Sequence, residues 1–586
     1  MTRRTHAALA AALAATLTLG LGACKNDKSD NGDNGGDSTA ASTKGPGAET
    51  GTIIGGTPAK GGTLTVLTNQ DFAHLDPARN WVLPHMDFGT RLLYRTLVTF
   101  KAEPGAAGSE IVPDLATDLG KSTDGGKVWT FTLKDGVKYE DGTPIKAADI
   151  KYNVERSFSP DLTGGPDYAI QYLEGGEKYK GPLTGEHLPS IETPDDRTIV
   201  FHLKRPVAEF SYTTTLPTFS PVPQSQEKGT QYDSRPFASG PYKIETYDRG
   251  KQLVLVRNTN WDAATDPVRK AYPDKIVVTQ GLKGGQADDR IIASDGADAN
   301  AIEMPWMQHE SVSKVLPKPD VKSRMAAERT GCTDMLFLNT AKAPFDDPKV
   351  REAMMWAVDR EAQVTAFGGP AMADVAISYL PPSLTAGAKA DPLKIPAAGD
   401  AAKAKELLKA AGKTDLKVGL TVSLGDKTRG EAIQQSLAKA GVQVTVNTVD
   451  ASAFADTIGD IKNAPELTIQ GWCPDYPSAA TFFPFLFDGR TIKEKGNQGN
   501  YSQFKDQATM DRMDQIAAMT DVAAANKAWQ QLDEDLMKKA PAVPLMWQRR
   551  PLLTGTNVAG AFGNSGYAGM IDLAVVGLKD PSKSQG

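Results

Sequence analysis

Histidine and cysteine are scarce in this chain of 586 residues, which has six histidines and three cysteines. Neither the His-x-x-x-His nor the Cys-x-x-Cys spacing occurs, although these spacings are typical of metal sites built from one local segment. The sequence therefore predicts no built-in metal site and no cofactor.

Positive charge is not in excess either. The chain has 65 basic and 71 acidic residues, a formal net charge of −6. Removal of residues 1–23 takes away Arg3 and Arg4 and no acid, so 63 basic against 71 acidic residues leave a net charge of −8. Nucleic-acid binding needs a basic surface that neutralises phosphates, so nucleic acid is not a predicted partner.

The N-terminus carries an apolar run that is shorter than a membrane span. Residues 7–23 contain only Ala, Leu, Thr and Gly after a positively charged start, which is typical of a secretory signal peptide. The run ends in Leu-Gly-Ala-Cys24, which resembles the lipobox of bacterial lipoproteins, where cleavage before the cysteine is coupled to its lipidation. We predict a signal peptide over 1–23 and a lipidated Cys24. The alternative is an uncleaved anchor or an ordinary signal peptide.

The segment that follows is rich in Asn, Asp, Gly, Ser, Thr and Lys and has no aromatic residue up to Lys60. Such a composition buries too little apolar surface to offset the entropy of ordering. Residues 24–60 are therefore predicted to be the lipidated cysteine and a flexible linker.

Cys332 and Cys473 are the two cysteines left once Cys24 is lipidated. Disulfide bonds persist in the oxidising environment that an exported protein enters, so one bridge between these two cysteines is predicted. Two free buried thiols are the alternative, because spacing in sequence does not establish proximity.

Apolar periodicity divides the body of the chain into two parts. Strand-like runs mark the first half, at residues 62–67, 128–133, 198–203, 253–257 and 275–279. Helical spacing and further strands mark the second half, with helices at 349–362, 400–411, 430–440, 510–520 and 523–539 and strands at 417–423, 442–449 and 467–470. The β-α-β order predicts a mixed α/β lobe in which helices cover a sheet.

Four separated segments carry recognisable motifs: WTFTLKDGVKYEDGTPI at 129–145, SGPYK at 239–243, LFLNT at 336–340 with VREA at 350–353, and GWCPDYP at 471–477. Together they resemble the extracellular solute-binding proteins of peptide and nickel ABC importers (solute-binding family 5), and most of all the oligopeptide-binding members.

The resemblance implies an α/β chain with the two-lobe fold of type II periplasmic binding proteins and an extra small domain inserted in the near lobe. The implied boundaries are 61–99, 233–331 and 546–580 for the near lobe, 100–232 for the inserted domain and 332–545 for the far lobe.

The GWCPDYP segment supplies the candidate ligand contacts of the far lobe, Gly471, Trp472 and Asp475. In the oligopeptide-binding members an aspartate in the position of Asp475 pairs with the α-ammonium group of the ligand. The chemistry is reasonable, because an ammonium group taken out of water needs a carboxylate to offset its lost hydration. The alternatives are a turn-stabilising role for Asp475 and a core position for Trp472.

On the near lobe, Trp81, Val82 and Leu83 are similar to a segment that contacts the ligand backbone in family members. The alternative is an ordinary edge packed on the sheet.

Two further features come from the resemblance. In the family the cysteine of the GWC motif bridges to one just before the first strand of the far lobe, and Cys332 stands in that place. Many oligopeptide binders also have an arginine for the ligand carboxylate three residues before the tryptophan, where this chain has Ile469.

The implied function is that of a binding protein and not of an enzyme. A monomer, held at the outer face of the cell membrane by the lipid on Cys24, captures peptides by closing its lobes and hands them to the permease subunits of an ABC importer. The alternatives are a non-peptide ligand, such as a nickel chelate, haem or a sugar, and an extracellular hydrolase on an α/β scaffold.

Overall fold

The computed structural model describes residues 51–387, 391–497 and 499–584. The predicted signal peptide and Cys24 lie outside these residues. Within the described ranges, no helix has both the length and the apolar character that crossing a bilayer requires.

The end of the predicted linker packs against the body of the protein. Ile54 is buried and donates its backbone N–H to the carbonyl of Ala561 at 2.7 Å, and Ala59 donates to the carbonyl of Leu578 at 2.8 Å. The prediction of a flexible linker is therefore wrong for residues 54–60, because a buried apolar side chain and backbone hydrogen bonds fix this segment. The earlier part of the predicted linker, up to residue 50, lies outside the described residues.

The strands in chain order are β1 Thr63–Thr68, β2 Val98–Phe100, β3 Ile111–Pro113, β4 Lys121–Thr123, β5 Val128–Thr132, β6 Ile191–Glu192, β7 Thr198–His202, β8 Tyr242–Asp248, β9 Gln252–Arg257, β10 Lys275–Thr279, β11 Ala301–Met304, β12 Met325–Leu338, β13 Ala373–Val375, β14 Lys417–Ser423, β15 Gln443–Val449, β16 Leu467–Trp472, β17 Ala542–Leu553, β18 Val558–Ala559, β19 Gly563–Asn564, β20 Met570–Ile571 and β21 Gly577–Leu578.

The α-helices are α1 Leu83–Phe88, α2 Ala147–Arg156, α3 Tyr168–Tyr172, α4 Phe210–Thr213, α5 Gln286–Ala293, α6 His309–Val315, α7 Pro319–Lys322, α8 Pro348–Ala357, α9 Arg360–Phe367, α10 Ala401–Ala410, α11 Lys427–Lys439, α12 Ala451–Gly459, α13 Phe483–Phe487, α14 Gln507–Ala517 and α15 Val522–Lys539.

Two large mixed sheets form the centres of the two lobes, which confirms the predicted α/β fold. One sheet has the strand order β11-β1-β10-β9-β8, and the other has the order β13-β17-β12-β16-β14-β15. Each has its own cluster of buried apolar side chains. A four-stranded sheet, β4-β5-β7-β6, lies within residues 121–202. Its status as a separate inserted domain stays a prediction.

Strands β12 and β17 connect the two lobes. They pair antiparallel from the Met325↔Leu553 pair to the Phe337↔Ala542 pair. An isolated bridge between Ile302 of β11 and Thr554 links this ladder to the other sheet. The segment around β16, which pairs with β12, therefore lies next to the strands on which the two lobes meet.

One predicted helix is divided in two. The apolar spacing predicts a single helix over 349–362, but α8 ends at Ala357 and α9 begins at Arg360. The carboxylate of Asp359 accepts a hydrogen bond from the backbone N–H of Ala362 at 2.9 Å and so caps α9. An aspartate side chain accepts backbone N–H hydrogen bonds more favourably as a helix cap than inside a helix. This preference begins a new helix at Arg360, although the apolar spacing alone predicts a single helix.

Candidate functional site

A cleft with a volume of 1180 Å³ lies between residues 165–209 on one side and 472–529 on the other. Three of the predicted site residues, Trp81, Trp472 and Asp475, line it. Trp472 ends β16, Asp475 follows in the next loop, and Trp81 lies just before α1. The fold thus brings together residues that are far apart in the sequence.

Asp475 is held by a tyrosine from the opposite wall. Its Oδ2 accepts a hydrogen bond from the hydroxyl of Tyr168, while Oδ1 has no hydrogen bond from any described residue. The pKa of Asp475 is raised to about 6, mainly by burial; the hydrogen bond from Tyr168 acts to lower this pKa, and the negative charge of Asp167 acts to raise it. Asp475 is therefore a partly desolvated carboxyl group with no cationic partner in the part of the chain that the structure describes.

Aromatic side chains form the wall around Asp475. The ring of Tyr168 lies 5.8 Å from Tyr476 and 6.0 Å from Trp81, and Tyr476 stacks on Tyr212 at 6.0 Å between ring centroids. Rigid apolar walls with a few polar groups are typical of small-ligand sites.

Trp472 is fixed at both ends. Its ring stacks on Phe485 with the centroids 3.8 Å apart, and its indole N–H donates to the carbonyl of Thr481 at 2.9 Å. It lines the cleft and also packs against the core of the far lobe. Trp472 therefore lies at the wall of the cleft and at the edge of the core, and its contact with a ligand stays a prediction.

Close packing leaves no room for a side chain at Gly471. A Cβ atom at this position would lie 2.3 Å from Oδ1 of Asp334. Asp334 is itself buried, accepts a 2.6 Å hydrogen bond from Gln548 and lies 2.9 Å from a guanidinium nitrogen of Arg429. Gly471 therefore leaves room for the carboxylate of Asp334, which lies directly opposite it in the pairing of β16 with β12. Its predicted ligand contact stays a prediction.

Val82 and Leu83 are not among the side chains that line the cleft. Val82 directly precedes α1 and is 41% exposed, and Leu83 begins α1 and packs against the apolar cluster that includes Tyr476. Their role as ligand contacts stays a prediction.

Glu209 is a cleft residue that the sequence analysis missed. It is only 4% exposed, its Oε2 accepts a hydrogen bond from the hydroxyl of Ser478, and its Oε1 has no partner among the described residues. Burial raises its pKa to about 7. The sequence does mark this residue, because Glu209 is a charged residue within the otherwise apolar segment Val207-Ala208-Glu209-Phe210.

Three cations also line the cleft: Arg205, Arg490 and Lys493. The guanidinium group of Arg490 pairs with Asp488 at 2.6 Å and with Asp514 at 2.7 Å. Its charge is therefore balanced within the protein, whereas Arg205 and Lys493 form no ion pair within the described part of the chain.

Ile469 takes no part in the cleft lining. It is 2% exposed and lies opposite Leu336 in the pairing of β16 with β12. The side chain belongs to the apolar core of the far lobe. Position 469 therefore offers no charged group to the cleft.

Cys332 and Cys473 form a disulfide bond. The bridge is confirmed, and the alternative of two free thiols is wrong. It joins β12 to the first residue after β16, two positions before Asp475.

Comparison with known proteins agrees with this architecture. The family model of the bacterial extracellular solute-binding proteins, family 5 Middle, matches residues 110–494. The solved structure of clavulanic acid biosynthesis oligopeptide binding protein 2 is 31% identical, with a TM-score of 0.83, and the match covers 90% of this chain and 98% of that chain. The periplasmic murein peptide-binding protein MppA of Escherichia coli is 27% identical over 81% of this chain and 85% of MppA. The periplasmic oligopeptide-binding protein OppA of Salmonella typhimurium is 27% identical over 75% of this chain and 79% of OppA. This chain therefore belongs to the bacterial extracellular solute-binding proteins of family 5.

Proposed function

We propose that this chain captures short peptides outside the cell membrane and delivers them to the permease of an ABC importer. The names of its relatives, which bind oligopeptides or a murein peptide, support the choice of ligand class. The observation that carries the proposal is Asp475, a carboxyl group on the wall of a cleft whose free oxygen has no partner in the described protein.

Asp475 binds the α-ammonium group of the peptide. Burial disfavours the charge on this carboxylate, and an incoming ammonium group supplies the missing counter-ion. The pair offsets the desolvation of both ions through a charge-assisted hydrogen bond. The tyrosine rings and the fixed Trp472 then contact the first residues of the peptide.

Closure of the lobes over the peptide couples binding to delivery. Two hydrogen bonds already cross the cleft, from Tyr168 to Asp475 and from Ser478 to Glu209. A ligand that contacts both walls binds the closed form more tightly and shifts the population towards it. The permease recognises this closed form.

The division into domains and the membrane anchor belong to the same proposal. Residues 332–545 act as the far lobe, 100–232 as the inserted small domain, and 61–99, 233–331 and 546–580 as the near lobe. The lipid on Cys24 keeps the protein near its permease, and the protein acts as a monomer.

The affinity for a peptide with a free N-terminus is expected to fall at acid pH. With a pKa of about 6, Asp475 is almost fully ionised at pH 7.5 but only about one tenth ionised at pH 5. The peptide ammonium stays charged over this range, so Kd for trialanine rises about tenfold from pH 7.5 to pH 5. Isothermal titration calorimetry at a series of pH values measures this change.

Two controls assign the pH effect to Asp475. N-acetyl-trialanine has no ammonium group and should bind with little pH dependence. Glu209 titrates near the same range, with a pKa of about 7, so Glu209→Gln should keep the pH dependence for trialanine. Equal pH dependence for the free and acetylated peptides would show that Asp475 is not the anchor.

A further inference from the structure

Glu209 differs in its partners from the other acids of the cleft lining. Asp488 and Asp514 both pair with the guanidinium group of Arg490. Asp167 is exposed, so water solvates its charge. Glu209 is buried and forms no ion pair with any residue that the structure describes. Apart from the predicted ammonium anchor, it is therefore the acid of this lining whose charge the described protein leaves unbalanced.

One oxygen of the Glu209 carboxyl group is bound and the other is not. Oε2 accepts the hydrogen bond from the hydroxyl of Ser478, and Oε1 has no hydrogen-bond donor among the described residues. The pKa of Glu209 is raised to about 7, mainly by burial, and the hydrogen bond from Ser478 acts to lower this pKa. A buried carboxylate without a counter-ion is costly, and a cation supplied by a ligand would remove that cost.

Tyrosine rings lie near this carboxylate. Burial raises the pKa of three tyrosines, and the negative charge of Glu209 acts in the same direction on each of them: Tyr172, Tyr212 and Tyr476. Tyr172 and Tyr476 line the cleft together with Glu209. The ring of Tyr172 already lies under a cation, the guanidinium group of Arg205, 5.4 Å from the ring centroid. Aromatic rings beside a carboxylate favour a positively charged group over a neutral one.

The hydrogen bond to Ser478 places Glu209 close to the predicted ammonium anchor. Ser478 follows Asp475 by three residues, and three residues of extended chain span at most about 11 Å. The segment is bent, because the backbone N–H of Ser478 donates to the carbonyl of Tyr476 at 2.5 Å, so the two residues lie closer than that. Glu209 is therefore within reach of a long side chain on the first or second residue of a peptide whose ammonium group binds Asp475.

We propose that Glu209 is a second anionic site of the cleft, which binds the cationic side chain of an arginine or lysine at the first or second position of a bound peptide. The inference rests on the proposed function. The cation pairs with Oε1, while Oε2 keeps the hydroxyl of Ser478. The tyrosine rings contact the apolar stem that carries the charge. Glu209 thus makes the cleft selective for basic peptides.

The test compares arginine with citrulline, its neutral isostere, in the tripeptides Arg-Ala-Ala and Ala-Arg-Ala by isothermal titration calorimetry at pH 7.5. In at least one of the two sequences the arginine peptide should bind at least about 30-fold more tightly than the citrulline peptide, because citrulline leaves the buried carboxylate unpaired. In Glu209→Gln, which keeps the size of the side chain and an acceptor for the Ser478 hydroxyl, this ratio of affinities should fall close to one. Glu209→Met is the second neutral variant if the glutamine protein does not fold, and the same loss is expected.

Asp167→Asn is the matched control on the protein side. Asp167 also lines the cleft, but its carboxylate is exposed, and an ion pair formed in water contributes little to affinity. The ratio of arginine to citrulline affinities should therefore stay within about threefold of its original value in this variant. A role of Glu209 limited to its hydrogen bond with Ser478 would leave the ratio unchanged in Glu209→Gln as well.

The outcomes separate this inference from the proposed function. Equal affinities for arginine and citrulline peptides in the unmodified protein, or a ratio that persists in the Glu209 variants, would overturn the assignment of Glu209 although peptide binding remains. Loss of the ratio in Asp167→Asn would overturn it too, because the selectivity would then come from the general negative charge of the cleft. If the unmodified protein binds none of these peptides and no trialanine, the proposed function itself fails. Loss of the ratio in the Glu209 variants alone supports the proposal.

Discussion

Asp475→Asn is expected to weaken the binding of peptides with a free N-terminus about 100-fold, because removal of one member of a buried charge pair costs roughly 2–5 kcal/mol. The substitution keeps the size of the side chain and an oxygen that can accept the Tyr168 hydroxyl. It removes only the negative charge. The ligand ammonium would then be desolvated without a counter-ion. Calorimetry with trialanine at pH 7.5 measures the loss.

Acetylation provides the matching control on the ligand side. N-acetyl-trialanine lacks the ammonium group, so its affinity should differ less than about threefold between the original protein and Asp475→Asn. Asp167→Asn is the matched variant, because Asp167 is also a carboxylate of the cleft lining but is exposed. A small effect on trialanine is expected there. If Asp475→Asn weakens the free and acetylated peptides equally, Asp475 acts through the structure of the cleft and not as an ammonium anchor.

Loss of the Cys332–Cys473 disulfide is expected to lower the free energy of unfolding by about 2–5 kcal/mol. The two cysteines are 141 residues apart, and a crosslink over so long a loop restricts the unfolded chain strongly. The chain-entropy model gives about 5 kcal/mol as the upper figure. Denaturant unfolding of the double variant Cys332→Ala/Cys473→Ala, followed by fluorescence, measures the change.

The single variants serve as internal controls for this prediction. Either Cys332→Ala or Cys473→Ala breaks the same bond, so each should lose about as much stability as the double variant. Reduction of the original protein with a thiol should reproduce the loss. An unfolding midpoint that does not move in the double variant would show that the bridge contributes nothing to stability.

The regular elements of the fold were largely predictable from local pattern. The strand predicted at 417–423 matches β14, and the helix predicted at 523–539 differs from α15 by one residue. These segments combine strong periodicity with clear ends. The break between α8 and α9 was not predicted, because the apolar spacing continues through Val358. The side chain of Asp359 caps the first turn of α9, and this local hydrogen bond fixes where the new helix begins.

The site was predictable only where a family motif marked it. The GWCPDYP segment indicated Trp472, Asp475 and the disulfide, whereas Tyr168 and Glu209 lie 307 and 269 residues away from their partners Asp475 and Ser478. Residues so far apart in the sequence form no local pattern from which their contact could be predicted. Charged residues within apolar runs were the available signal.

Two adjacent arginines of β17 illustrate the same limit for the fold. Arg549 and Arg550 end the strand-like run Leu545-Met546-Trp547-Gln548-Arg549-Arg550, where a charge must have a reason to be buried. Only the structure shows that Arg549 has Asp374 as a partner while Arg550 lies over Trp306. The difference between two adjacent arginines is a property of the tertiary fold.

Native mass spectrometry of the protein purified without unfolding, followed by identification of whatever it releases, tests the proposed capture of peptides most directly. The expected ligands are peptides with free amino termini, bound one per protein molecule and recovered chemically unchanged after incubation. A nickel chelate, haem or a sugar as the released ligand, or a peptide that is cleaved during incubation, would contradict the proposal.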